Sequence, residues 1–172
     1  YDPSSDRARV YASEMREQGD PVPQDISVAR TPEEALRDAD IICTATTSWE
    51  PVFMDKDLKE GVHINGIGSY TPEMQEVPAE TVARALVVVD SRTATLAETG
   101  DLLKPMQTGL FGEEHISAEL GEIVLGQKPG RESPEQITYF KSVGVAVQDA
   151  MAAQLALQNA QKLGLGKEVL FR

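Results

Sequence analysis

Small and hydroxyl-bearing residues follow three apolar runs in this sequence, and residues of these types can bind a nucleotide. The first cluster carries hydroxyls that could hydrogen-bond a ribose or a pyrophosphate, on Thr44, Thr46, Thr47 and Ser48. The second is Asn65-Gly66-Ile67-Gly68, whose glycines would let the backbone approach a flat ring closely, and the third is Asp90-Ser91-Arg92. Hydroxyls also cap ordinary turns, and glycine also serves tight turns. Taken singly, the first two clusters support both explanations equally.

Asp2 closes the opening segment, where an acidic side chain could accept hydrogen bonds from the adenosine ribose of a dinucleotide. A carboxylate there would repel the 2′-phosphate of NADP, which favours NADH over NADPH. Asp before Pro is, however, also an ordinary turn, and the glycine-rich loop expected about 20 residues upstream is absent from the sequence. Because Tyr1-Asp2-Pro3 has the pattern of a strand end, we expect the chain to be a piece of a longer protein.

The two histidines do not predict a metal centre. His63 lies inside an apolar run and His115 precedes a predicted helix, and neither has a cysteine or carboxylate at metal-ligand spacing. A structural role is favoured for each. The sequence also lacks a nucleophile elbow, a Walker loop and a zinc pattern. We therefore expect no metal.

The composition argues against nucleic-acid and membrane partners. The 172 residues carry a formal net charge of −12 without a basic cluster, and such a surface repels phosphate backbones. No apolar stretch approaches the roughly 18 residues that a membrane span needs. The single cysteine, Cys43, lies within an apolar run, which predicts a buried thiol and a reducing, cytoplasmic location.

Alternating strands and helices predict the sheet that would position the strand-end clusters. The predicted strands are residues 26–29, 40–45, 62–67 and 86–89. The predicted helices are residues 4–18, 31–37 and 79–85, with a single helical turn at 55–59. Ser4 would cap the first helix, and Thr31 would open a capping box in the second. Because residues 40–45 show no polar alternation, we expect that strand to be buried on both faces.

The second half of the chain has longer helical patterns. Its predicted elements are a helix, a strand, a helix and a strand, at residues 117–125, 137–140, 145–163 and 168–171. The first of these helices would turn Leu120, Ile123 and Val124 inward. The long alanine-rich helix places Val147, Met151 and Leu155 on one stripe. The whole pattern predicts an α/β fold with a Rossmann-like doubly wound parallel sheet that lacks its first strands.

Several short sequence words occur in a fixed order along the chain. The longest are Ala39-Asp40-Ile41-Ile42-Cys43-Thr44-Ala45-Thr46-Thr47-Ser48, Gly61-Val62-His63-Ile64-Asn65-Gly66-Ile67-Gly68 and Thr138-Tyr139-Phe140-Lys141-Ser142-Val143-Gly144. The others are Val89-Asp90-Ser91, Glu98-Thr99-Gly100-Asp101, Gly121-Glu122-Ile123, Gly130-Arg131 and Gln148-Asp149. The series spans nearly all of the chain, and in this order and spacing it resembles the ornithine cyclodeaminase/mu-crystallin family.

The resemblance implies the remainder of an NAD(P)-binding Rossmann domain at residues 1–143. Residues 144–172 would then return to a second domain, which serves substrate binding and dimerisation in a homodimer. The resemblance also implies a set of cofactor contacts: Asp2 at the adenosine ribose, Thr44, Thr46, the backbone of Ile64, Asn65, Gly66 and Ile67, and Ser142 near the nicotinamide. Val143 would lie beside the substrate, whose carboxylate would be bound by residues upstream of this chain.

One position departs from the family pattern. Ornithine cyclodeaminases carry an aspartate shortly after the glycine-rich strand end, where it acts as an acid and base on the substrate amine. This chain has Gly68-Ser69-Tyr70-Thr71-Pro72, with Tyr70 in that place. Tyrosine is a far weaker acid than aspartate and cannot form a carboxylate's ion pair with an ammonium group. Tyr70 is thus a candidate proton donor or pocket residue.

These features favour NADH-dependent reduction of a small cyclic or linear imino acid, such as pyrroline-2-carboxylate. The cofactor would do the chemistry, and the protein would position it. One alternative is ornithine cyclodeaminase itself, with its acid and base supplied elsewhere. Another is a non-catalytic ligand-binding protein like mu-crystallin, since a fold does not fix a function. The chain alone is expected to be inactive, because it lacks the phosphate-binding loop.

Overall fold

A five-stranded parallel sheet forms the centre of the computed structural model, which describes residues 1–167 and 169. The strands are β1 (Ile41–Thr44), β2 (His63–Gly66), β3 (Leu86–Val89), β4 (Ile116–Glu119) and β5 (Thr138–Lys141). Their order is β1-β2-β5-β3-β4, and every neighbouring pair is parallel. The α/β prediction is therefore confirmed, and β5, the strand latest in the chain, lies at the centre of the sheet.

The helices begin and end largely where the sequence places caps. They are α1 (Ser5–Glu17), α2 (Pro32–Leu36), α3 (Ala79–Arg84), α4 (Arg92–Glu98), α5 (Gly100–Gln107), α6 (Leu120–Val124) and α7 (Ala146–Leu163). The Ser4 hydroxyl accepts from the Arg7 N–H, and the Thr31 hydroxyl accepts from the Glu34 N–H. At the end of α7, Gly164 adopts a left-handed φ of 65°, which favours glycine.

The hydrophobic core lies on one face of the sheet. Ile42, Ile64, Tyr139 and Val87 are neighbours in register across four strands, and each is at most 8% exposed. Helices α2, α3 and α5 add buried side chains to the same cluster, namely Leu36, Val82 and Leu102. Burying each such side chain contributes about 1.5–3 kcal/mol. This face therefore holds the strands in register and determines which residues reach the strand ends.

The opposite face is open at β1, which corrects two predictions. Ile41 is 67% exposed and Cys43 is exposed, whereas Ile42 and Thr44 are buried. Burial on both faces of residues 40–45 was thus a wrong prediction, and so was a buried Cys43. Successive side chains of a strand point to opposite faces, and within residues 1–167 β1 is packed on one face only.

Residues 26–29 do not form the predicted strand. They pair with no other strand in the part of the chain that the structure describes. Instead, the Arg16 guanidinium donates to the Ile26 carbonyl. A strand is defined by its ladder of hydrogen bonds, and apolar residues alone do not supply the partner.

The helix predicted at residues 117–125 begins only at Leu120. Residues 116–119 pair with β3 as strand β4 instead, so sheet pairing overrides the helical pattern. Leu120 is 44% exposed and Val124 is 77% exposed, so neither turns inward as predicted, whereas Ile123 is half-buried.

Helices α4 and α5 were not predicted. Gly100 and Pro105 both disfavour a helix interior, yet Gly100 opens α5 and Pro105 is buried inside it. Leu102 is fully buried in the core, so tertiary packing outweighs the weak helical preference.

Helix α7 buries none of its residues against the described chain. Its predicted stripe of Val147, Met151 and Leu155 is 57–63% exposed. The strand predicted at residues 168–171 falls outside the described residues. Among the residues that are described, no helix combines the length and the apolarity needed to cross a membrane.

Candidate functional site

The carboxyl ends of β1, β2, β5 and β3 lie side by side along one edge of the sheet. Backbone hydrogen bonds continue past the strands, from the Ile67 N–H to the Thr44 carbonyl (2.9 Å) and from the Ser142 N–H to the Gly66 carbonyl (3.1 Å). We call this edge the strand-end rim: residues 44–46, 66–69, 90–91 and 142–144. The structure thus brings the three predicted clusters together at the edge where parallel sheets bind ligands.

Among the predicted contact residues on the rim, Thr46 and Ile67 are exposed, and Ser142 is half-buried. Ile64 and Asn65 instead lie within β2, which is paired on one side with β1 and on the other with β5. Ladder hydrogen bonds on both sides occupy the backbone of such a strand. Of the predicted segment 64–67, Gly66 and Ile67 therefore reach the rim, and only Ile67 is exposed there.

Asp90 is the carboxylate at the β3–β5 side of the rim. Its Oδ2 accepts from the Ser142 hydroxyl (2.8 Å), the Val143 N–H (3.0 Å) and the Gly144 N–H (2.8 Å), and its Oδ1 accepts from the Ser91 N–H (2.8 Å). Burial opposes the charge, but these hydrogen bonds outweigh it and lower the pKa of Asp90. We call these five residues the Asp90 cluster. A charged Asp90 fixes the turn at 142–144.

A buried ion pair lies below the rim. The Lys141 Nζ is 3.9 Å from the Asp101 Oδ2 and donates to the Gly66 carbonyl (3.1 Å), and the Tyr139 hydroxyl donates to the same Oδ2 (2.9 Å). Burial raises the pKa of Asp101 against the opposing charge of Lys141, and burial likewise lowers the pKa of Lys141 against Asp101. Burial raises the pKa of Tyr139 well above its usual value, and the Asp101 charge adds to the shift. The pair fastens β5 to β2 and to α5.

Glu76 is the carboxylate at the β1–β2 side, and it is fully buried. Its Oε2 accepts from the Thr44 hydroxyl (3.0 Å), the Gly68 N–H (2.7 Å) and the Ser69 N–H (3.2 Å). Its Oε1 accepts from the Thr46 N–H. We call these five residues the Glu76 cluster. The Thr44 hydroxyl is therefore directed into the protein rather than toward a ligand.

The sequence interpretation gave no role to Glu76, Asp101 or Lys141. Asp101 and Lys141 did occur in the words that carry the family resemblance. A usable signal was Lys141 directly after the predicted strand at 137–140, because a charge that a sheet buries needs a buried partner. Glu76 offered no such signal, since it lies in an irregular segment.

Asp2 lies in a separate crevice of about 280 Å³, with Arg9 and residues 28–30 among its lining. Its Oδ1 accepts from the Ser4 N–H (2.7 Å) and is 3.3 Å from the Arg7 Nε. Asp2 shares no hydrogen bond with the rim within residues 1–167. It therefore holds the turn that leads into α1, whose N-cap is Ser4.

Both histidines make structural hydrogen bonds. His63 bonds the Thr138 hydroxyl (2.7 Å) and the Asn65 side-chain oxygen (3.2 Å), and His115 bonds the Val82 carbonyl (2.7 Å). Within the described residues, no group of three or more His, Cys, Asp and Glu side chains is arranged to hold a metal ion.

The rim offers hydroxyl and backbone groups for binding, while its carboxylates are used to hold loops. Tyr70, next to the rim, is 50% exposed, and Val143 is half-buried. Such a site is suited to holding a flat, multiply hydroxylated ligand that brings its own reactivity.

Comparison with known proteins gives a match to the ornithine cyclodeaminase/mu-crystallin family over residues 4–163. A Delta(1)-pyrroline-2-carboxylate reductase from Bacillus cereus is 44% identical over 173 aligned residues, which cover 99% of this chain and 52% of that protein. The chain thus spans about half the length of the curated relatives it matches.

Two solved structures resemble the whole fold. The Thermococcus litoralis Delta(1)-pyrroline-2-carboxylate reductase in complex with NADH and L-proline is 41% identical with a TM-score of 0.92, covering 98% of this chain and 51% of that one. An archaeal alanine dehydrogenase dimer with bound NAD is 34% identical with a TM-score of 0.87, covering 100% of this chain and 52% of that one.

Proposed function

This chain belongs to the ornithine cyclodeaminase/mu-crystallin family, and we propose that it is the cofactor-binding part of an enzyme that reduces a small imino acid with a nicotinamide cofactor. The proposed substrate is Δ1-pyrroline-2-carboxylate or a closely similar cyclic or linear imino acid. The observation that carries the proposal is the strand-end rim, where Thr46, Ile67 and Ser142 follow three neighbouring parallel strands. The similarity to pyrroline-2-carboxylate reductases supports the choice of substrate.

The rim fits a nicotinamide cofactor. A Cβ on Gly68 would overlap the backbone of Thr46 and the carboxylate of Glu76, so the β1 and β2 loops approach as closely as backbone can. We assign cofactor contacts to Thr46, to the strand end at Ile67 and to Ser142. The cofactor, when bound, supplies a hydride for the imine carbon.

Reduction of the imine adds a hydride to its carbon and a proton to its nitrogen, which gives the amine and the oxidised cofactor. The turn at 142–144, fixed by Asp90, would hold Ser142 beside the nicotinamide and Val143 beside the substrate. Tyr70 stands where the cyclodeaminases of the family carry an aspartate. We assign it the role of candidate proton donor to the imine nitrogen.

The activity is tested on the complete gene product by following NADH absorbance with Δ1-pyrroline-2-carboxylate, with ornithine plus NAD in a parallel assay. We expect NADH oxidation that depends on the imine. Ammonia and proline from ornithine without imine reduction would overturn the proposal in favour of a cyclodeaminase. Cofactor binding without turnover of any imine would favour a non-catalytic binding protein.

Asp2 is proposed to favour NADH over NADPH. Asn at this position can still accept from the Ser4 N–H, so Asp2→Asn removes the charge while keeping the turn. We expect the ratio of kcat/KM for NADPH to that for NADH to rise about tenfold, equal to about 1.4 kcal/mol. Asp6→Asn, at an exposed position in the first turn of α1, is the matched control. An unchanged ratio in Asp2→Asn would remove Asp2 from the cofactor site.

The proton-donor role of Tyr70 is tested with Tyr70→Phe, which keeps the ring and removes only the hydroxyl. General acid catalysis contributes on the order of 10²–10⁴-fold. A loss of kcat of that size would support proton donation. A kcat within about threefold of wild type would instead make Tyr70 a pocket residue.

A homodimer is also proposed. The exposed apolar stripe of Val147, Met151 and Leu155 on α7 offers a surface for a second copy. The archaeal alanine dehydrogenase is described as a dimer, which supports the proposal. Light scattering on the complete gene product should give twice the monomer mass, and Met151→Glu should lower it. A monomer in the unaltered protein would contradict this.

A further inference from the structure

Glu76 connects two segments that are distant in sequence. Thr44 ends β1 and Thr46 follows it, whereas Gly68 and Ser69 follow β2, and all four donate to the same carboxylate. Both segments carry cofactor contacts in the proposed function. A single side chain therefore determines how far apart the β1 and β2 loops lie.

The backbone of Glu76 is fixed as firmly as its side chain. Its N–H donates to the Asp101 Oδ1 (2.7 Å), and its carbonyl accepts from the Val52 N–H (2.9 Å). The Val77 N–H donates to the same Asp101 oxygen (3.1 Å). Because Asp101 in turn contacts Lys141, these contacts anchor the backbone of Glu76 to the core below the rim.

Burying a carboxylate is costly, and hydrophobic residues of similar volume often stabilise a fold as well or better. A fully buried Glu76 is thus poorly explained by stability alone. What its carboxylate does, and an apolar side chain could not, is hold four donors from two loops in one arrangement. Preorganised loops bind a ligand more tightly because less ordering remains to be done on binding.

We propose that Glu76 is a positioning residue for the nicotinamide cofactor, holding the β1 and β2 loops at the spacing that the cofactor needs. The inference rests on the proposed function, because it assigns the cofactor to these loops. Glu76 lies beneath the loops and does not take part in hydride transfer. Its loss should therefore weaken cofactor binding more than it slows turnover at saturating cofactor.

Glu76→Gln is the sharpest variant, because it keeps the shape and changes one oxygen to an amino group. If the amide oxygen takes the three donors of Oε2, the new N–H2 faces the Thr46 N–H, and two donors oppose each other. In the flipped orientation the N–H2 faces the Gly68 and Ser69 N–H groups instead. Either orientation releases one loop. Glu73→Gln, at an exposed position three residues earlier, is the matched control.

The test measures the Kd for NADH by fluorescence titration of the complete gene product, together with kcat at saturating NADH. In Glu76→Gln we expect the Kd to rise about tenfold, the usual scale for an unsatisfied buried donor, with kcat within about threefold. Hydrogen exchange of peptides that contain residues 44–48 and 66–70 should also become faster. Glu73→Gln should match the wild type in all three measurements.

A second variant separates positioning from general destabilisation. Val82→Ala removes core volume in α3, away from the rim, and should lower the melting temperature without moving the loops. If Val82→Ala raises the Kd for NADH as much as Glu76→Gln does, the role of Glu76 is only structural and the proposal is overturned. Unchanged NADH binding in Glu76→Gln overturns it too. If the wild type itself does not bind NADH, the proposed function fails first.

Discussion

On the β1–β2 side of the rim the holding carboxylate, Glu76, is fully buried, whereas on the β3–β5 side Asp90 is only half-buried. Both carboxylates accept a backbone N–H from the loop that follows a neighbouring strand, Thr46 after β1 and Val143 after β5. Glu76 rests on the buried pair of Asp101 and Lys141. Asp90 instead holds the turn that leads into α7, which buries nothing against the described chain.

The difference in burial indicates that a loop-holding carboxylate serves a different purpose on each side of the rim. In the core, hydrogen bonds to a carboxylate are shielded from water, so the Glu76 cluster should resist change and respond as one unit with the fold. At the half-exposed Asp90, water can replace a lost partner, so changes there should remain local. The Glu76 side would then set the geometry of cofactor binding, and the Asp90 side would orient Ser142 and Val143.

The largest expected loss of stability follows from removing Asp101, which supports Glu76 from below the rim. Asp101→Ala leaves Lys141 buried without its ion partner and leaves the Glu76 and Val77 N–H groups without an acceptor. Breaking a buried pair in this way costs about 3–5 kcal/mol of unfolding free energy. Urea denaturation measures the loss, with exposed Glu98→Ala as the control. A loss below about 1 kcal/mol in the free energy of unfolding would mean that the Glu76 side is no more sensitive to disruption than the Asp90 side.

Gly68→Ala tests how closely the β1 and β2 loops are packed on the Glu76 side. The new Cβ would overlap the Thr46 backbone and the Glu76 carboxylate, so the β1 and β2 loops must separate. Overpacking of this kind costs about 1–3 kcal/mol, and the Kd for NADH should rise together with it. Gly121→Ala is the control, because a Cβ there meets no atom within 4 Å beyond its chain neighbours and the backbone of its own helix. Normal stability and NADH binding in Gly68→Ala would show that the loops yield easily.

Asp90→Asn should have a smaller and more local effect. An asparagine oxygen can accept from the turn at 142–144, but the amino group then faces the Ser91 N–H. We expect a loss of about 1–2 kcal/mol in the free energy of unfolding and a lower kcat, since Ser142 is less firmly placed. Asp149→Asn, exposed on α7, is the control. A loss as large as that of Asp101→Ala would remove the distinction between the two sides.

The pH dependence of stability sharpens the comparison, because the pKa values of Asp90 and Asp101 are shifted in opposite directions. The lowered pKa of Asp90 gives a stabilising contribution that is complete above the unfolded value of about 3.9 and is lost as pH falls through the folded value. The raised pKa of Asp101 makes folding take up a proton, so its contribution declines as pH rises above about 3.9.

Urea midpoints between about pH 3 and 7 test the two signs. The stability difference between wild type and Asp90→Asn should grow as pH rises and then level off. The difference between wild type and Asp101→Asn should shrink over the upper part of the same range. The same sign for both variants would contradict the assignment of buried and half-buried carboxylates.

The local apolar pattern and the order of the short sequence words were enough to predict a parallel α/β sheet and most of the helix caps. Apolar runs closed by glycine or by Asp90 placed β2 and β3 correctly, and Ser4 and Thr31 cap helices as predicted. The ordered series of words also identified the family. These features are local, so they can be recognised in the chain before it folds.

The tertiary structure decided what depends on contacts between distant residues. Pairing with β3 made residues 116–119 a strand, and the described residues cover β1 on one face only, which leaves Ile41 and Cys43 exposed. The same holds for Glu76, whose donors are 7 to 32 residues away in sequence. An isolated carboxylate in an irregular segment has no periodicity to reveal it. Only folding around it defines its partners, and with them the shape of the site.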